Sequence, residues 1–192
     1  MNIFYLDRDP KKCAEMHCDK HVVKMIVEYA QILSTAHRML DGTKYIDTSK
    51  NGRKITRYKL KDNLENIVYK ACHFNHPSTV WARTSFQHYQ WLYELWRELS
   101  GEYRHRYGGK TGRDHSSWTL LGEILKYTPT NITHKGFTEP PQAMKKYPEC
   151  MVEGDSIQAY KNYYIIAKSE FAKWTNRQIP EWYTNGLATE II

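Results

Sequence analysis

The hydrophobic positions fall into three long stretches of helical period separated by polar runs. In the first, "HCDKHVVKMIVEYAQILSTAH" (17–37), Cys18, Val22, Met25, Tyr29, Ile32 and Ala36 fill one flank. Val23, Ile26, Val27 and Ala30 cover the back and the other flank. At roughly 100° per residue, His17, His21, Lys24, Glu28, Gln31 and Thr35 gather within about 80°. The pattern is thus an apolar rod with a narrow polar stripe, the reverse of an ordinary surface helix with its narrower apolar arc. A polar stripe on a central helix must be hydrogen-bonded or hydrated, so it is expected to line a cleft.

The second stretch begins at "NHPS", where Pro77 suits a first helical turn and Ser85 restarts the helix as a cap. Phe86, Tyr89, Tyr93, Trp96, Leu99 and Tyr103 then form a core-facing stripe that ends at Gly108–Gly109. In the third, Asp155 caps a helix whose apolar positions Ile157, Tyr160, Tyr164, Ala167, Phe171 and Trp174 keep helical period.

Between these lie shorter elements. Asp9–Pro10 reads as a cap and first-turn proline for a short helix over "PKKCAEMH", which either runs on into the first long helix or is separate from it, with Asp19 capping the second. Asp41–Gly42 stops the first long helix, and "SSWTLLGEIL" gives a short one. "SKNGRK" is a turn within the basic run 43–66, as a hairpin or a mobile loop. Residues 128–154 carry four prolines and read as an extended loop, and "IPEWYTNG" as a closing tail. The expected architecture is mainly α, a single-domain helical bundle of three long helices with long extended loops, over residues 1–192.

Charge narrows the function. Lys and Arg number 28 against 21 Asp and Glu, a formal net charge of +7. With six Trp and fifteen Tyr, that balance favours a polyanionic partner, DNA or a nucleotide ligand. No window is apolar enough for a membrane span, and the N-terminus lacks a signal peptide's apolar region. Four cysteines without a secreted-type framework imply reduced thiols. The expected location is the cytoplasm, that of the host if the chain is phage-encoded, with no membrane partner.

The stripe supplies the candidate catalytic set, Lys24, His21, His17 and Glu28. A lysine amine forms a Schiff base with a sugar carbon when burial or a neighbouring cation lowers its pKa. The histidines would provide that neighbour, and Glu28 or Asp19 would assist proton transfer. The competing reading is a structural Lys24–Glu28 pair at i,i+4. "NHPSTVWARTSFQHY" offers His76, Ser78, Arg83 and Ser85 to a phosphate near helix starts. Lys161 and Lys168, interleaved with aromatic residues, suit nucleic-acid backbone contacts. "GFTEPPQAM" could wall a pocket. Cys13, His17 and His21, or Cys72, His73 and His76, are zinc-type residues, but no CxxC or HExxH accompanies them. No metal and no cofactor is expected. P-loop, dinucleotide, nucleophile-elbow and deaminase signatures are absent.

The run "MNIFYLDRDP…HCDKHVVKM…NHPS…PPQAM…NYY…PEWY" resembles, along most of its length, a family of small proteins common in phage genomes. More remotely, the first 30 residues, "NHPS" and the Trp–Tyr tail are similar to the pyrimidine-dimer DNA glycosylases. That resemblance implies a helix carrying a His, matched by His17, and a catalytic Glu whose position falls on or near Lys24. It also implies an imine formed by the amine exposed after removal of Met1. Asn2 disfavours that removal, and no carboxylate stands at the matched position. The expected activity is therefore a rebuilt glycosylase/lyase on a modified or damaged base, with Lys24 as the amine. The alternatives are a nucleotide-acting enzyme, or a binder of a nucleotide-derived signalling molecule acting in phage counter-defence, and a non-catalytic nucleic-acid-binding protein.

Overall fold

The computed structural model describes residues 1–108 and 112–190. Gly109, expected to help end the second long helix, lies outside them. The molecule is mainly helical with one small two-stranded sheet among the described residues.

Helix α1 (Pro10–Met16) starts as its sequence dictates: the Asp9 carboxylate accepts from Lys12 N at 2.9 Å, with Pro10 in the first turn. His17 then turns extended (φ −63°, ψ 132°) and Cys18 starts a new helix, α2 (Asp19–Asp41). Cys13 and His17 therefore do not share a continuous helix with His21. Helix α2 stops at Gly42, where a Cβ would stand 2.3 Å from the Arg38 carbonyl oxygen. The close approach admits glycine alone.

The basic run is a hairpin. Strand β1 (Thr43–Thr48) pairs antiparallel with β2 (Lys54–Lys59), in register Thr43↔Lys59 to Thr48↔Lys54. Gly52 turns the tip at φ +74°. A short α3 (Leu64–Ile67) follows, then α4 (Pro77–Thr84), α5 (Phe86–Tyr107) and α6 (Ser116–Leu125). Residues 128–154 are extended apart from short turns and a 3-10 turn at Pro148–Cys150. Asp155 caps α7 (Ser156–Lys168) by accepting from Gln158 N at 2.9 Å. The expected tail instead forms α8 (Glu181–Glu190).

Two helices are long, 23 residues in α2 and 22 in α5, whereas α7 ends after 13. Phe171 and Trp174, which kept helical period, are placed by tertiary contacts beyond it. Lys20 Nζ lies 4.5 Å from the Phe171 ring, and Trp174 Nε1 donates to the Met16 carbonyl at 2.9 Å. Helix α2 packs on α4, α5 and α6, and α7 packs on α8.

At the centre of the core Trp96 Nε1 donates to the Ile26 carbonyl at 2.8 Å. Helix α2 is less enclosed than its pattern suggests, because Val23 is exposed and Val27 half-buried. Segment 3–6 is buried but pairs with no strand among the described residues. Side chains take the place of a partner strand: Phe4 N donates to Tyr29 Oη at 3.1 Å, and Cys13 Sγ donates to the Phe4 carbonyl at 3.1 Å. Among the described residues, no helix is long and apolar enough to cross a membrane.

Candidate functional site

The buried N-terminal segment, the first half of α2, the start of α4, the loop around 143–147 and the end of α7 line an open cavity of about 520 Å³. That volume lies within the range of small-ligand pockets. Three residues of the polar stripe, His21, Lys24 and Glu28, form its α2 wall. Their spacing on one helix face brings them there, as the sequence implied.

Glu28 organises the floor. One carboxylate oxygen lies 3.2 Å from Lys24 Nζ, and the other lies 4.0 Å from the Met1 amine. Among the described residues Glu28 is the one carboxylate lining the cavity, whereas Lys24, Lys145, Lys146 and Lys168 also contribute charge. The cavity is therefore strongly cationic. Lys168 Nζ lies 4.3 Å from the Tyr163 ring centre and 6.0 Å from that of Tyr147, a cation–π arrangement. Phe4 stacks on His21 at 4.1 Å between centroids and lies nearly parallel to Tyr163, at 9°.

The histidines are neutral rather than cationic. Burial, then His17, Lys168 and Lys24, pulls His21 down to about 2. Its Nδ1 is 2.6 Å from Tyr164 Oη. His17 does not reach the cavity: Nδ1 meets the Cys13 carbonyl at 2.7 Å and Nε2 meets Tyr29 Oη at 3.0 Å. Burial pulls His17 down to about 4. The two rings thus do not supply the neighbouring cation expected for Lys24; Lys145, Lys146, Lys168 and the Met1 amine carry that charge. Nor is Lys24 buried, its side chain being 68% exposed. Asp19, the other expected proton acceptor, takes Thr175 N at 3.0 Å and Arg106 Nη1 at 3.0 Å away from the cavity.

The expected phosphate ligands disperse. His76 and Lys168 line the cavity. Ser78 Oγ donates instead to the Met1 carbonyl at 3.3 Å, tying the N-terminal segment to α4. Ser85 Oγ lies 2.6 Å from Gln87 Oε1 and accepts from Lys135 N at 3.1 Å. Arg83 stands outside the cavity, and Lys161 Nζ lies 5.8 Å from the Trp182 ring. Burial, with the Met1 amine and His73, lowers His76, whose Nδ1 accepts from Ser78 N at 3.2 Å.

Of the anticipated wall "GFTEPPQAM", Ala143 and Met144 line the cavity and the residues before them do not. The lysines just after it, Lys145 and Lys146, belong to no motif of the sequence; their adjacency to a candidate wall is the one signal that points to them. Among the described residues, no group of three or more His, Cys, Asp or Glu could hold a metal ion. The chain matches no family model, no curated protein and no solved structure.

Proposed function

We propose that the protein is a DNA-acting enzyme of glycosylase/lyase type, which takes a modified or damaged nucleotide into this cavity and attacks its sugar with an amine held by Glu28. The observation that carries this reading is the Glu28 carboxylate, 3.2 Å from Lys24 Nζ on the floor of a cavity with lysines around it. Glu28 takes a proton from the Lys24 ammonium, and the freed amine attacks C1′. The base leaves with the bonding pair and the amine's proton. The ring oxygen then leaves C1′ with its bonding pair and takes the proton that Glu28 holds, so that an iminium remains between Nζ and C1′ and Glu28 is again a carboxylate. Glu28 stabilises that cation and accepts the C2′ proton when the 3′ phosphate is eliminated. Phe4, Tyr163 and the neutral His21, stacked on one another, supply the apolar part of the lining against which an extruded base would rest. Lys145, Lys146 and Lys168 offer charge to the flanking phosphates.

The test is strand scission of a duplex carrying one abasic site. Wild type is expected to cut, and Lys24→Ala and Glu28→Gln each to slow cutting by about 100-fold or more. Absence of cutting by wild type, or variants that cut at the wild-type rate, would refute the proposal. One observation favours a second reading, a nucleotide-acting enzyme or nucleotide binder: about 520 Å³ accommodates a single nucleotide without any polymer. In that case a free nucleotide raises the melting temperature in a Lys24-dependent way, and DNA is not cut.

A further inference from the structure

A second basic surface lies outside the cavity. Between 43 and 61 the hairpin carries Lys44, Lys50, Arg53, Lys54, Lys59 and Lys61, all exposed, besides Arg57. Among the described residues only Arg57 of these has a carboxylate partner, Asp47 at 3.6 Å. The hairpin is joined to the body near its base, where Arg38 Nη1 donates to the Tyr58 carbonyl at 2.8 Å and Tyr58 packs edge-on against Phe74. Farther out Ile46 is 61% exposed and Tyr45 38%. A two-stranded ribbon is at best marginally stable alone, and this one adds little to the core. It projects unneutralised cations and bare apolar side chains, a surface that a polyanion would complete.

We propose that this hairpin is a β-ribbon arm that grips duplex DNA by its backbone, with the ribbon entering the major groove. The inference rests on DNA being the carrier of the substrate. The major groove is wide enough for a two-stranded ribbon, and strands of this length reach roughly 20 Å. Helix α2 links the two surfaces: its first half lines the cavity and it contacts both strands of the hairpin. Its 23 residues extend about 35 Å, roughly ten base pairs of duplex, so one duplex of about 20 base pairs is long enough to reach both.

The experiment measures the affinity of the full chain for an undamaged fluorescent duplex of about 20 base pairs across a salt series. In the variant Lys44→Gln/Lys50→Gln/Arg53→Gln/Lys54→Gln, affinity is expected to fall about tenfold or more near 0.1 M salt. The slope of log K against log salt should shrink by about 0.9 for each phosphate that the variant no longer neutralises. A charge-keeping variant, Lys44→Arg/Lys50→Arg/Lys54→Arg, is expected to bind as wild type does. Unchanged affinity and slope in the glutamine variant would overturn the inference, and an acidic protein would then be the fitting partner. Loss of affinity in the arginine variant as well, or no duplex binding by wild type, would also overturn it. Strand cutting is not read in this experiment. A protein that binds through the hairpin but cuts nothing would retain this inference and lose the enzymatic one.

Discussion

The N-terminal end of α2 lies between two charged clusters that have opposite fates. On one side Arg106, fully buried, is sealed in a knot: Nε donates to Glu102 at 3.1 Å, Nη1 to the His17 carbonyl at 2.8 Å and to Asp19, and Nη2 to the Glu15 carbonyl at 2.9 Å. Arg177 Nε closes on the same Glu102 carboxylate at 3.0 Å. On the other side a single carboxylate, Glu28, serves Lys24 and the Met1 amine in an open cavity with further lysines. In the knot each guanidinium nitrogen of Arg106 has an acceptor, so its charges hold α1, α2, α5 and the segment before α8 together. In the cavity cations outnumber carboxylates, an imbalance that the proposed nucleotide would offset. Residue types alone do not separate the two clusters; enclosure and balance do.

The sharpest way to break this contrast is to remove one partner from each cluster. Glu102→Ala removes the carboxylate that two guanidiniums share, one of them fully buried, and is expected to cost about 3 kcal/mol in urea denaturation. Burial pushes the Glu102 carboxyl up, but Arg177 and Arg106 outweigh it and hold the group below the usual range. Glu28→Gln is expected to change stability by less than about 1 kcal/mol, because Lys24 is exposed to water. The same substitution should slow strand cutting by about 100-fold. Equal stability losses in the two variants would erase the distinction.

Acid stability gives a smaller effect of definite sign. Burial holds His17 and His37 near 4 and His21 near 2, whereas unfolded histidine titrates near 6.5. Between those values the unfolded chain binds protons that the folded chain refuses. Stability is therefore complete above about pH 6.5 and falls as pH drops toward 4, by up to about 1.4 kcal/mol per pH unit for each histidine. His17→Gln should flatten that limb by about one histidine's share, measured by denaturation at pH 7, 6 and 5; an unchanged slope would remove His17 from the sealed side. Smallest of all, Lys145→Gln with Lys146→Gln should weaken binding of a mononucleotide by several-fold, on the order of 1 kcal/mol, without altering stability. Isothermal calorimetry reads this directly.

Local signals made much of the fold legible. Asp9–Pro10, Pro77, Asp155 and Gly42 mark helix ends through short-range sterics and capping, and they stand where their chemistry puts them. The stripe on α2 was readable because three of its members need only one helix face. The remainder depended on distant contacts. The break at His17–Cys18 has no proline or glycine to announce it, so His17 continues the stripe in sequence although it faces Tyr29 and the Cys13 carbonyl. Phe171 and Trp174 kept helical period because both are buried or half-buried, but against residues near the N-terminus rather than along α7. Arg38 and Arg106 would be solvated on most amphipathic helices, yet each is enclosed by carbonyls and carboxylates far along the chain. Lys145 and Lys146 reach the cavity only because an extended loop folds back over Met1 and α7.

The central claim is that the amine beside Glu28 is chemically engaged by a sugar in the cavity. It is tested most directly by borohydride trapping of the protein on abasic DNA, followed by peptide mapping of the adduct. The adduct is expected on Lys24, to disappear in Lys24→Ala and to diminish in Glu28→Gln. A missing adduct, or one mapped to a lysine of the hairpin, would contradict the account.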